Sequence, residues 1–181
     1  MEEAYASLAK SDLDALIFDV RDNTGGYLSS IVDVLDMILP ADKLLVSFDY
    51  GNENNSRKPY YSETEQQIDL PIVVLQNRNT ASAAELFAGA LRDHGYATLI
   101  GETTRGKCTM QSGYRLPDGS YIKVTVADYL PPSGESYQGV GLDPDIRIPL
   151  APAYQAEPVY LLPAEQDTPL QEALALLCGN E

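Results

Sequence analysis

At 181 residues the chain is long enough for one domain with a substantial core. Twelve Lys and Arg against 27 Asp and Glu give a net charge of −15, which repels phosphate backbones and anionic lipid and argues against nucleic-acid or membrane-surface partners. A single histidine (His94), two distant cysteines (Cys108 and Cys178) and the lack of a phosphate-binding glycine loop leave no metal site and no cofactor to expect.

The start, Met1 to Lys10, has neither the basic nor the apolar region of a signal peptide and reads as the end of a helix. No run approaches the roughly 18 apolar residues of a membrane span. Residues 15–20 (Ala-Leu-Ile-Phe-Asp-Val) form a buried-strand signal, followed by a turn cluster ending in Gly25-Gly26. Apolar residues at three- and four-residue steps predict a helix over 28–39, stopped by Pro40. A strand follows at 44–48, a polar turn at 51–57 and a returning strand at 58–62. Asn54-Asn55-Ser56 in that turn matches a glycosylation sequon, read as a chance match. Residues 71–76 (Pro-Ile-Val-Val-Leu-Gln) carry the strongest strand signal of the chain. A helix is expected over 81–92 with Gly95 just past its end, then a strand at 97–100. Strands at 110–114 and 121–129 flank a Pro117-Asp118-Gly119 turn. Residues 131–144 read as loop, 151–169 as a proline-rich extended segment, and 170–177 as a last helix.

This order implies an α/β core of mostly parallel strands and helices, to which the later hairpin adds an antiparallel region. Residues 1–150 form the expected core. Residues 151–181 form an extension whose helix packs on or near it.

Two places share one geometry: a buried strand runs into a small-residue loop that opens a helix. One is Val20 into Gly25-Gly26, the other Gln76 into Thr80-Ala81-Ser82-Ala83. In parallel sheets such loops gather at one edge, where ligands bind. Ser82 at a helix start sits beside free N–H groups, which favours an alkoxide, and the Ala83 N–H could meet a developing oxyanion. Ser82 with Glu85 equally fits a capping box, and Gly25-Gly26 equally fits a plain turn. Lys107 lies in a loop after a strand. A lysine acts as a base only where its ammonium is disfavoured, as in an apolar pocket, and an exposed loop lysine is the plain alternative. His94 is excluded as the base for Ser82, because twelve helical residues separate them by roughly 18 Å.

Four stretches together resemble the carboxy-terminal processing, or tail-specific, serine peptidases. Residues 16–26 are similar to that family's strand ending in Asp-Leu-Arg-x-Asn-x-Gly-Gly. Residues 79–86 resemble its nucleophile segment, residues 101–107 its Gly-Glu-x-Thr-x-Gly-Lys loop, and residues 139–146 its Gly-x-Gly-Ile-x-Pro-Asp segment. The resemblance implies a Clp/crotonase-like spiral fold. It makes Ser82 the nucleophile, Lys107 the base and Gln111 the residue that orients the lysine, with oxyanion donors from Ala83 and one of Gly25 or Gly26. It implies a polypeptide substrate, a PDZ domain elsewhere in the full-length protein, and an extracytoplasmic location. Thr80 and Ala84 stand where the family often has serine. Cys108 stands where glycine usually follows the lysine, which raises the prospect of an altered or redox-sensitive loop. The implied activity is endopeptidase cleavage through an acyl-enzyme. The competing readings are a catalytically silent peptide-binding scaffold and an acyl-CoA enzyme of the crotonase type.

Overall fold

The computed structural model describes residues 2–51, 57–155 and 157–179. The apolar runs become two four-stranded sheets. In chain order the elements are α1 (Glu2–Leu8), β1 (Leu16–Asp19), α2 (Leu28–Ile38), β2 (Leu44–Asp49), β3 (Arg57–Tyr61), β4 (Ile72–Gln76) and α3 (Ala83–Asp93). They continue with β5 (Ala97–Gly101), β6 (Thr109–Arg115), β7 (Tyr121–Leu130), β8 (Ile146–Arg147) and α4 (Thr168–Cys178). One sheet is parallel, in the order β1-β4-β5-β8; the other is antiparallel, in the order β3-β2-β7-β6.

All five residues of β4 are buried, as expected of a central parallel strand covered on both faces. Ile72 and Val74 face the main core beneath α2 and α3, while Val73 and Leu75 face α4 through Ala173, with Leu170 and Leu177 packed beside them. Residues Ala83 to Leu91 of α3 are buried without a break, so this helix is enclosed rather than lying on the surface. Leu86 and Leu91 are fully buried and contribute about 2–3 kcal/mol each on that account. The helix that carries Ser82 at its start is therefore held from all sides.

The mixed α/β expectation holds, with a larger antiparallel part than the late hairpin alone. β2 joins that sheet, because its partner β3 folds back on it and β7 lies along its other side. β8 falls beyond the segment read as loop: two residues pair with the end of β5, too few to leave a periodic signal. The segment read as extended contains three short 3-10 turns, at Pro152–Tyr154, Val159–Leu161 and Ala164–Gln166. Each is opened by a proline, whose fixed φ starts a turn as readily as it continues an extended chain. The sequon at 54–56 lies outside the described residues.

The end of β1 is tied to the start of α4 by a buried ion network. Arg21 donates Nη1 and Nη2 to the two carboxylate oxygens of Asp167 (2.7 Å each) and Nε and Nη2 to Asp19 (2.9 and 2.6 Å). The Arg21 and Asp167 side chains are 3% and 4% exposed. Burial works against the guanidinium charge, yet the bonds to Asp19 and Asp167 more than offset it, and Arg21 is held firmly protonated. Asp167 also caps α4 by accepting the Leu170 N–H (3.1 Å). Arg21→Ala leaves the Asp167 carboxylate buried and unpaired, and is expected to destabilise the fold by about 3–5 kcal/mol. Urea unfolding measures this; a loss below about 1 kcal/mol means the pair is replaceable by water.

Candidate active site

Because β1 and β4 are parallel neighbours, the loops at their carboxyl ends lie side by side. A polar clamp fixes them. The Asp22 carboxylate accepts from Asn77 Nδ2 (2.9 Å) and Asn79 Nδ2 (2.8 Å), while the Asp22 N–H donates to Asn77 Oδ1 (3.0 Å). Those bonds, from Asn79 first and Asn77 second, hold the Asp22 carboxyl below its usual range. The Ala81 N–H donates to the Asn23 carbonyl (3.0 Å). Gly25 then presses directly against the residues around Ser82: a β-carbon there would lie 2.7 Å from the Ala81 carbonyl oxygen and 2.8 Å from Ala83 N. With φ at +92° as well, position 25 admits glycine alone.

Ser82 has φ +59° and ψ −124°, a conformation rarely adopted by a residue with a side chain. Strain of this kind costs about 1–3 kcal/mol and survives where the surroundings enforce it. Here the enforcement is Glu85. Its side chain is completely buried and accepts four hydrogen bonds, from the Ser82 N–H (2.7 Å), the Thr104 hydroxyl, the Gly106 N–H (2.6 Å) and the Lys107 N–H (2.9 Å). The first bond is the carboxylate half of a capping box. The other three reach the Lys107 loop, so one carboxylate fixes both the serine and the lysine segments.

The Lys107 loop is also held from its other side. The Gly139 N–H donates to the Gly106 carbonyl (2.8 Å), and the Leu142 N–H to Thr104 Oγ1 (2.8 Å). Thr80, at a position where the resembled family often has serine, bridges three segments: its hydroxyl donates to the Val20 carbonyl (2.9 Å) and accepts the Asn77 N–H (3.0 Å), and its carbonyl accepts the Arg105 N–H (3.0 Å).

One cavity of about 280 Å³ brings the expected residues together: Ser82, Ala83, Lys107, Gln111 and Gly26 all line it. Lys107 is half-buried, and no carboxylate among the described residues pairs with its ammonium. The Gln111 amide nitrogen lies 3.5 Å from Thr125 Oγ1 on the neighbouring strand. Of the two glycines, Gly25 already donates its N–H to Asn23 Oδ1 (2.9 Å) and does not line the cavity, whereas Gly26 does. His94 sits at the far end of α3, its Nε2 2.7 Å from the Leu44 carbonyl oxygen.

Tyr129, which the sequence did not single out, reaches the cavity from β7. Its hydroxyl donates to the Lys107 carbonyl (2.5 Å) and contacts the Ser82 side chain; burial pushes its ionisation far up, so it stays a neutral phenol. The only signal for it was its inward position in an alternating strand. Cys108 is buried, and burial together with the nearby Glu85 pushes its thiol up to about 12. Burial of this kind disfavours the thiolate, the form that reacts with oxidants. Both cysteines are free thiols.

Residues 1–148 match the model of a family described as peptidase family S41. The chain is 33% identical over 159 residues to the carboxy-terminal processing protease CtpB of Bacillus subtilis (strain 168), covering 88% of this chain and 33% of that protein. It is 36% identical over 174 residues to a carboxyl-terminal-processing protease of Picosynechococcus sp. (strain ATCC 27264 / PCC 7002 / PR-6), covering 96% of this chain and 40% of that one. The chain thus spans about a third to two fifths of the length of these curated relatives. Among solved structures, a photosystem II D1 C-terminal processing protease superposes with a TM-score of 0.70 at 35% identity, over 82% of this chain and 38% of that one. A lipoprotein from Streptococcus agalactiae shares the fold over 99% of this chain and 60% of its own, with a TM-score of 0.75 at 21% identity.

Proposed function

Since the chain belongs to peptidase family S41, we infer that it is the catalytic core of a serine endopeptidase that cleaves extended polypeptides. The observation that carries the reading is the placement of Ser82. It stands strained at a strand-to-helix junction and shares one cavity with Lys107, whose ammonium pairs with no carboxylate among the described residues. In the proposed reaction neutral Lys107 takes the Ser82 proton as Oγ bonds to the scissile carbonyl carbon. The N–H groups of Ala83 and Gly26 receive the oxyanion. Protonated Lys107 then gives its proton to the leaving amine as the C–N bond breaks, and water releases the acyl group by the reverse sequence. Gln111, on the same cavity wall, orients the lysine. Tyr129 holds the lysine backbone from below.

The reading extends to a PDZ domain in the full-length protein and to work outside the cytoplasm; both rest on the family resemblance alone. Asp22, Asn23 and Gly25 act by positioning the Gly26 amide, not by touching the substrate. A fluorophosphonate probe tests the nucleophile directly. It is expected to label the protein once, on Ser82, as read by peptide mass mapping. Labelling of another serine, or equal labelling of the Ser82→Ala protein, removes Ser82 from the role.

A further inference from the structure

The chain carries a net charge of −15, yet its active-site cavity has the opposite sign. Two lysines, Lys107 and Lys123, line that cavity, and no aspartate or glutamate does. Lys107 has a task in the reaction proposed above. Lys123 has none. It stands exposed on β7, and its ammonium pairs with no carboxylate among the described residues. The carboxylates of its own hairpin are engaged or distant. Asp118, in the turn, accepts the N–H and the hydroxyl of Ser120 (2.9 and 2.6 Å). Asp128 lies opposite Thr109, five residues along β7 from Lys123, about 17 Å in an extended strand.

Register fixes where Lys123 stands. Residues paired across an antiparallel ladder share a face, and Gln111 pairs with Thr125 while Gly113 pairs with Lys123. Lys123 is therefore one ladder step from Gln111, on the same face. Gly113 sends no side chain toward it, and Tyr121 fills that gap, since a β-carbon at position 113 would overlap the Tyr121 hydroxyl. Tyr121 thus bounds Lys123 on one side and Gln111 with Thr125 on the other, and the cavity lies beside them. A lysine held there without a counterion is a recognition group, and carboxylates are the anions that a polypeptide carries. Resting on the peptidase reading above, we propose that Lys123 is a specificity-determining residue that pairs with a substrate carboxylate, borne by an Asp or Glu side chain within about three residues of the bond cut. The strands run on past Lys123 to exposed Arg115 and Tyr121, which suits a substrate chain that continues there rather than one that ends. The acidic body of the protein does not cancel the pairing, because its repulsion is screened over about 8–10 Å at physiological salt, whereas the pair acts in contact.

The test varies charge on both partners. Casein first locates a bond that is cut, and internally quenched peptides are built around it with both termini blocked, so that no terminal carboxylate is present. Each of three positions on either side of the bond then carries Glu or Gln. The expected result is one position at which Glu raises kcat/KM about three- to tenfold over Gln, an advantage that shrinks as salt is raised. Lys123→Gln is expected to erase the difference, and Lys123→Glu to invert it in favour of Lys at that position, an inversion that a merely structural lysine would not produce. In parallel, blocked peptides of alternating alanine and glutamate, or alanine and glutamine, are titrated against the Ser82→Ala protein by fluorescence anisotropy. The glutamate peptide is expected to bind more tightly, and to lose that advantage when Lys123→Gln is added. Cleavage at equal rates for Glu and Gln at every position, or a Glu advantage that survives Lys123→Gln, overturns the role of Lys123 and leaves the peptidase reading standing. An advantage that appears only in a separate set with a free carboxyl terminus overturns it equally. Binding that depends on glutamate and on Lys123, without any cleavage by the unsubstituted protein, overturns the peptidase reading and retains the pairing. Neither cleavage nor such binding overturns both.

Discussion

Peptide hydrolysis is expected to fall about 10³- to 10⁴-fold when Lys107 is replaced by alanine, and by as much when it is replaced by arginine. The magnitude is that of a lost general base. The arginine arm separates two roles for the residue. Arginine keeps the positive charge and most of the length but is not deprotonated in water, so it cannot take the Ser82 proton. If Lys107 served only to attract substrate, arginine would preserve the rate. Stability is expected to stay within about 0.5 kcal/mol in both variants, because the side chain is half-buried and pairs with no carboxylate among the described residues. Steady-state kinetics on one quenched peptide, with a thermal melt on the same samples, decide the matter. A variant that retains a tenth of the rate takes the base role away from Lys107.

Glu85→Gln is expected to cost both activity and stability, which distinguishes it from the lysine change. The carboxylate faces four donors and nothing else, on the Ser82, Gly106 and Lys107 amides and the Thr104 hydroxyl. A glutamine amide group must turn its own N–H2 toward one pair of them, so a buried donor meets donors. The expected loss is about 3 kcal/mol or more. Alanine does the same by leaving the four without an acceptor. Since the serine and lysine segments then drift independently, kcat is expected to fall at least about 10²-fold, the scale of a misplacement near 1 Å. KM is expected to change little, because Glu85 does not line the cavity. A fall in KM-dependent terms alone, with kcat preserved, contradicts the positioning role.

These two residues show what was legible in the sequence and what was not. The strands at 16–19 and 72–76 and the helix after Ser82 announce themselves by composition and period. The separation of His94 from Ser82 follows from helix geometry alone. Lys107 became more than a loop lysine only by resemblance, and the structure adds its shared cavity with Ser82. Glu85 was visible as a cap, because three residues separate it from Ser82; its bonds to Gly106 and Lys107 span 21 and 22 residues and leave no local pattern. The same holds for Arg21 and Asp167, 146 residues apart. The membership of β2 in the antiparallel sheet depends on which strand arrives beside it, and β7 comes from 80 residues further on, beyond the reach of any window of periodicity. Gly25 and Gly26 were interchangeable as letters. The structure sets them apart: Gly25 is pressed against Ala81 and Ala83 with its N–H bonded to Asn23, whereas Gly26 lines the cavity.

The Arg21–Asp167 pair has a consequence for where this unit ends. The family match closes at residue 148, which invites a boundary there. Charge balance puts the boundary later. A chain cut after 148 keeps a guanidinium sealed in the core and discards its buried counterion, and uncovers Val73, Leu75 and Ile100, which α4 shields. The segment beyond the family match is thus, for the folding chain, a plug: it closes one face of the parallel sheet and supplies the charge that Arg21 needs.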